Sequence, residues 1–261
     1  MTALNSIEAR VAREKESHDS DDVLARSYAL KDKFFHVWDV TERVRKAEDA
    51  LLASARDKQV LDYGCGRGEY ALKLLEFGAS VSGIDISENY VRLCEKACAE
   101  HGYDESRYNF QVMDAHKLTF ADNSFDYVVG NGILHHLDFK VAMKEIFRVL
   151  KPGGRAVFQE PLAGNPLLGL LRRLTPRART TDERPFTAED LKEIGTDWNV
   201  ESSYFGMLSA PVACATSVVL RPWPKNPLLG MATSIEKMVN ARAMMPSWNQ
   251  YVLFNLVKPS A

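Results

Sequence analysis

Val60-Leu61-Asp62-Tyr63-Gly64-Cys65-Gly66-Arg67-Gly68 decides the fold. A short apolar run that suits a buried strand passes into glycines at alternate positions, and a helical stretch over about 69–77 follows. Glycine is needed where the backbone must turn sharply and approach a ligand with no Cβ in the way. Alone this is a weak signal, because dinucleotide enzymes use a related turn.

Outward from it, apolar runs at 80–84, 108–112, 125–129 and 155–159 read as further strands. Between them lie helical patterns: one starts at the N-cap candidate Ser87 and runs to about His101. Another covers 138–150 with Val141, Ile146, Val149 and Leu150 inward, and 151–154 reads as a turn. Strands alternating with such helices predict βαβ units, a mainly parallel sheet and both faces covered. Upstream, Leu24, Tyr28, Lys31, Phe35 and Trp38 form one helical stripe, and a second helix after Thr41 turns Val44, Leu51, Leu52 and Ala55 inward. Segments 161–185 and 207–246 contain prolines and have no clean period. The tail 248–257 alternates apolar residues and predicts a last strand, antiparallel, at the sheet edge.

The chain of 261 residues is 46% hydrophobic, enough for a continuous core in one α/β domain. Its net charge of −2 argues against a protein that neutralises many phosphates, so no nucleic acid is expected. The longest weakly polar run, 207–220, falls short of the roughly 20 residues of a membrane span. Residues 1–5 lack the pattern of a signal peptide. Cys65, Cys94, Cys98 and Cys214 have no metal-ligand spacing, so no metal is expected and the cysteines read as buried apolar side chains in a reducing, cytoplasmic setting.

Two carboxylates follow strands in the positions a nucleoside needs. Asp85 ends the second strand, where it can accept hydrogen bonds from ribose hydroxyls. Asp114, after the third, is placed for the exocyclic amine of an adenine. The competing reading makes both of them caps or turn residues. With 60–68, Asp85, Met113-Asp114-Ala115, Ser124-Phe125-Asp126-Tyr127-Val128-Val129 and Leu150-Lys151-Pro152-Gly153-Gly154 in this order, about 100 residues resemble the class I S-adenosylmethionine-dependent methyltransferases of small-molecule type.

The resemblance implies an α/β, Rossmann-like, mainly parallel seven-stranded sheet with helices on both faces, N-terminal helices and inserted lid segments. The chain then divides as one domain, 1–261: an N-terminal helical lid (1–56), a cofactor-binding core (57–160), substrate-side inserts (161–185 and 207–246) and a last strand (247–257). It also implies roles. Gly64, Cys65 and Gly66 pass beside the methionine part of the cofactor, with Asp62 near its ammonium. Asp85 binds the ribose, Ile86 packs on the adenine, and Asp114 with the Ala115 amide reads the adenine edge. Asn131 offers its carbonyl to the ammonium, and His135 lines the pocket. Tyr63 and Arg67 depart from the commonest form of the motif.

Methyl transfer from a sulfonium is an in-line displacement that needs mainly alignment, and a base only if the acceptor must lose a proton. The candidates are His135 and His136 after the fourth strand, Glu160 at the end of the fifth and pointing to the acceptor region, and Tyr28 on the N-terminal helix. Against these stand a histidine that lines the cofactor pocket without being catalytic, a carboxylate that caps a turn or pairs with an insert arginine, and a core tyrosine. In the first insert Arg172, Arg173, Arg177, Arg179 and Arg184 outnumber Asp182 and Glu183, which suits an acidic group on the acceptor or a solvated face. The second insert carries Val218, Val219, Leu220, Trp223, Leu228, Leu229, Met231, Met238, Met244 and Met245; these suit an apolar ligand, an ordinary core or a homodimer contact. The reading is a methyltransferase acting on a small-molecule acceptor. A non-catalytic protein that binds the cofactor or its demethylated product, and a nicotinamide-dependent oxidoreductase, are the alternatives.

Overall fold

The computed structural model describes residues 37–174, 184–194, 197–219, 226–242 and 245–260, with Ala9, Ala12, Lys15 and Phe34. Helix α1 (Val37–Leu52) leads into β1 (Gln59–Tyr63), α2 (Glu69–Glu76), β2 (Ser80–Asp85), α3 (Glu88–Glu100), β3 (Tyr108–Val112) and β4 (Phe125–Asn131). After a 3-10 turn (Leu134–His136) come α4 (Phe139–Val149), β5 (Leu150–Pro161), α5 (Pro166–Leu174) and α6 (Ala188–Glu193). Two short strands, β6 (Asn199–Val200) and β7 (Ser203–Phe205), precede α7 (Ser209–Val219), α8 (Pro227–Asn240) and β8 (Tyr251–Val257).

The strands form one sheet in the order β3-β2-β1-β4-β5-β8-β6, with β7 also on β8. The first five strands are parallel, β8 runs antiparallel to β5, and β6 and β7 run antiparallel to β8 and so in the direction of the first five. Apolar residues of α1, α2 and α3, such as Val44, Leu74 and Cys94, cover one face, while Ala142 and Ile146 of α4 cover the other. The α/β architecture with helices on both faces is therefore as expected. Cys65, Cys94 and Cys98 are buried and free.

Four details depart from the expectation. Among the described residues the sheet has eight strands, not seven, because the partner of β8 is broken at residues 201–202 into β6 and β7. Strand β8 is not at the edge but between β5 and those fragments, and its five central residues are all buried, so alternation was the wrong pattern to read. Helix α1 runs unbroken through Thr41. Residues 151–154 do not leave the sheet: Phe125 pairs with Leu150 and Tyr127 with Arg155, so the extra residues bulge out inside β5. Of the predicted N-terminal stripe, Leu24, Tyr28, Lys31 and Phe35 lie outside the described residues.

Candidate active site

The carboxyl ends of β1, β2, β3 and β4 open on a cavity of about 480 Å³. Its walls come from the glycine turn after β1, from Asp85 and Ile86, from residues 113–116 and 131–133, and from His136 and Leu137. Glu48, Tyr70 and Lys73 close one end.

The turn is built for close approach. The Gly64 and Cys65 amides both donate to the Ile84 carbonyl, at 2.9 and 2.8 Å, clamping β1 to β2. Gly64 has φ +85°, and a Cβ there would come within 2.9 Å of Ile133. Gly66 has φ +51° and no protein atom within 4 Å of where its Cβ would stand, so the cradle is open on that side. Asp85 holds the turn from across the cavity: its Oδ2 accepts from the Gly66 amide (3.0 Å) and its Oδ1 from the Ser87 amide (2.9 Å). Beneath, the Cys94 thiol donates to the Gly66 carbonyl (3.2 Å), and its hydrogen bond with Cys65, together with burial, pushes the Cys65 thiol up.

Below the turn lies a concentration of carboxyl groups. Asp62 is buried and its Oδ2 has no hydrogen-bond partner. Burial first, then the charges of Asp85 and Glu48, push its pKa up to about 8. Glu48 is also buried; its Oε2 accepts from the Lys73 ammonium (3.0 Å) while Oε1 has no partner. Lys73 is shared with Asp49. The Tyr70 hydroxyl is raised well above the ordinary range, by burial and then by the Glu48 charge.

At the other end, Asp114 Oδ1 accepts from both the backbone amide (2.9 Å) and the Nδ1 of His116 (2.7 Å). His116 Nε2 accepts from the Asp138 amide at 2.9 Å, which fixes the ring proton on Nδ1. Tyr63 points away from the turn into the core, edge-on to Phe158, and its hydroxyl donates to the Ala115 carbonyl. This unusual residue of the motif thus ties the β1 turn to the loop after β3.

Glu160 corrects an expectation. It is wholly buried and lies outside the cavity wall. Its Oε1 accepts from the Ile133 (3.1 Å) and Leu134 (2.8 Å) amides, and its Oε2 faces His135 Nδ1 at 2.7 Å. His135 is drawn away by this bond and borders a separate cavity of about 220 Å³, beside Phe186 and the Arg184–Asp190 ion pair (3.2 Å). Of the two adjacent histidines, His136 borders the main cavity.

Residues 61–158 match the family described as methyltransferase domain. This region is a methyltransferase domain. The chain is 33% identical over 158 residues to an uncharacterized protein of Haemophilus influenzae, covering 58% of this chain and 62% of that one. It is 38% identical over 122 residues to a demethylmenaquinone methyltransferase of Staphylococcus aureus, covering 44% and 47%. In these pairings the chain thus spans about half to three-fifths of its curated relatives. Among solved structures it is similar to the [4+2]-cyclase SpnF, with TM-score 0.55 and 22% identity over 83% of this chain and 81% of that one, a likeness of fold. S-Adenosylmethionine is the cofactor that goes with this domain.

Within the methyltransferase domain, Gly64, Cys65, Gly66, Asp85, Ile86, Asp114, Ala115 and Asn131 all border one cavity, with Asp62 buried behind the turn. His135 and Glu160 are brought together, but away from it. Tyr28, Arg177 and Arg179 lie outside the described residues. Glu48 and His116 were not anticipated. Glu48 had a signal: it falls four residues after Val44 and four before Leu52, a charge inside the apolar stripe of α1. His116 had none, since its role depends on a turn that brings it back against Asp114. No helix among the described residues is long and apolar enough to cross a membrane.

Proposed function

We propose that this chain transfers a methyl group from S-adenosylmethionine to a small, partly apolar acceptor carrying an acidic group. The observation that supports this most is the Asp62 carboxyl, which has an oxygen unsatisfied and whose pKa is pushed up to about 8, by burial first and then by the charges of Asp85 and Glu48. Leaving such a group unpaired costs about 1–3 kcal/mol, which a site tolerates when a cationic ligand completes it. The cofactor, when bound, supplies a methyl group already activated by the positive charge of its sulfur.

The residues around the cavity fit that group. Asp62, with Glu48 behind it and the Asn131 carbonyl opposite, would hold the ammonium end. Gly64 and Gly66 would let the chain pass beside the methionine part. Asp85 would take the ribose hydroxyls, Ile86 would cover the adenine, and Asp114 Oδ2 with the Ala115 amide would read its edge. Protein groups occupy only Oδ1 of Asp114 in the hydrogen bonds above, so Oδ2 is left to accept.

Alignment of the acceptor falls to the 131–137 segment. Glu160 and His135 act there as positioning residues: three hydrogen bonds to one carboxylate fix the backbone of that segment. An amine acceptor would need no base. An oxygen or carbon acid would give its proton to His136, since the other imidazole on the cavity wall, His116, already accepts the Asp138 amide at Nε2.

The test is acceptor-dependent release of S-adenosylhomocysteine, measured with a panel of phenols, naphthoquinols, carboxylic acids and amines. The naphthoquinol is included because one relative is named for demethylmenaquinone. Release stimulated by one class supports the proposal. Cofactor binding with no stimulation by any class would favour a non-catalytic binding protein.

A further inference from the structure

Helix α8 is turned inside out. Its one carboxylate, Glu236, is buried and accepts from the Gly206, Leu208 and Ser209 amides, the Ser209 hydroxyl and Arg43. Burial alone would raise the Glu236 pKa, but these hydrogen bonds and the Arg43 charge outweigh it and hold the carboxyl below the usual range. The opposite face carries Leu228, Met231, Ile235 and Met238, spaced three, four and three apart, and all are exposed, Met231 and Met238 by about 60%. Asn226 caps the helix and Leu229 and Ala232 pack inward, so the orientation is fixed rather than slipped.

The neighbouring insert helices continue the pattern. Helix α7, packed against both α8 and α5, exposes Val218 and Val219 by 68 and 76%, and α5 exposes Leu167 and Leu170. The charges on this layer have one sign. Arg173 on α5 and Lys237 on α8, with Arg242 just beyond it, are exposed, and none of the three helices carries an exposed carboxylate. Among the described residues, the exposed charges on these three helices are thus cations, while Asp39 on the adjoining α1 is held by Arg43 (3.2 Å).

We propose that this face docks on an anionic lipid surface, with the apolar stripe of α8 lying in the plane of the interface and the flanking Arg and Lys residues on the headgroups. An exposed apolar face rimmed by cations matches a bilayer, which offers hydrocarbon beneath negative charge. A second copy of this chain would instead bring the same cations against one another.

The full chain is sedimented with vesicles of phosphatidylcholine alone and with vesicles containing about one-third phosphatidylglycerol. The expected result is binding to the anionic vesicles at least about tenfold stronger than to the neutral ones, and weakened by salt. A Met231→Glu/Ile235→Glu variant, changed only at exposed positions, should lose that binding while its circular dichroism and S-adenosylmethionine titration stay as in the parent. Absence of binding by the parent chain, or undiminished binding by the variant, overturns the proposal. So does a concentration-dependent dimer in light scattering that the variant abolishes, because the face is then an interface between copies.

Discussion

Glu160 Oε2 lies 2.7 Å from His135 Nδ1, and the other oxygen of the same carboxylate accepts two backbone amides of the segment that follows β4. One buried side chain on β5 therefore fixes both the path of that segment and the direction its first histidine faces.

Replacing Glu160 by Ala removes all three bonds and leaves buried donors unsatisfied. A loss of about 3 kcal/mol in unfolding free energy is expected in urea denaturation. Glu160→Gln keeps an acceptor for the amides and should cost less. His135→Asn, with the amides still held, should leave kcat within about tenfold of the parent. A fall of a thousandfold with cofactor affinity intact would make His135 the base and contradict the positioning role.

Asp62 makes cofactor binding depend on pH. The folded carboxyl keeps its proton up to about pH 8, whereas an ordinary aspartate loses it near 3.8. Between those values the folded state holds the extra proton, so this group's contribution to stability falls as pH rises across the window and changes no further above it. An ammonium arriving beside Asp62 favours the ionised form, so binding at pH 7 should release close to one proton. Calorimetry in buffers of different ionisation enthalpy measures this. Asp62→Asn should abolish the release, and an unchanged release would assign it to another group.

His116 acts on the adenine end through Asp114. Its neutral ring donates from Nδ1 to the carboxylate and accepts the Asp138 amide at Nε2. His116→Ala should raise the cofactor Kd by about tenfold, the cost of one lost hydrogen bond to a charged group, with kcat at saturation little changed. An equal Kd would show that Asp114 needs no such support.

Tyr63→Phe removes the hydroxyl that reaches the Ala115 carbonyl and leaves the ring packed on Phe158. A loss of about 1 kcal/mol is expected, read as a lower Tm. A similar Tm would mean that water replaces the hydroxyl without cost.

The parallel half of the sheet was legible because each strand is a buried apolar run set between helices with a clear period. The glycine turn and Asp85 were legible because their chemistry is local. Strands β6 and β7, of two and three residues, are too short to show any pattern and exist only by pairing with β8. Strand β8 looked like an edge strand because Asn255 interrupts its apolar run, yet Asn255 is buried and bonded to Glu201 (2.8 Å) and Arg155 (3.3 Å). The place of Glu160 at a strand end predicts a side chain facing the acceptor region. Which way a strand-end side chain turns depends on the amides that bend round to meet it, and those come from another part of the chain.

The central claim is that the cavity over the glycine turn binds S-adenosylmethionine. Calorimetric titration of the purified chain with S-adenosylmethionine, S-adenosylhomocysteine and NADH, repeated with Asp85→Ala, tests it most directly. Saturable binding of the first two, none of NADH, and a Kd raised at least about tenfold by the variant are the predicted results. Binding of NADH alone, or S-adenosylmethionine binding that the variant leaves unchanged, would contradict the account.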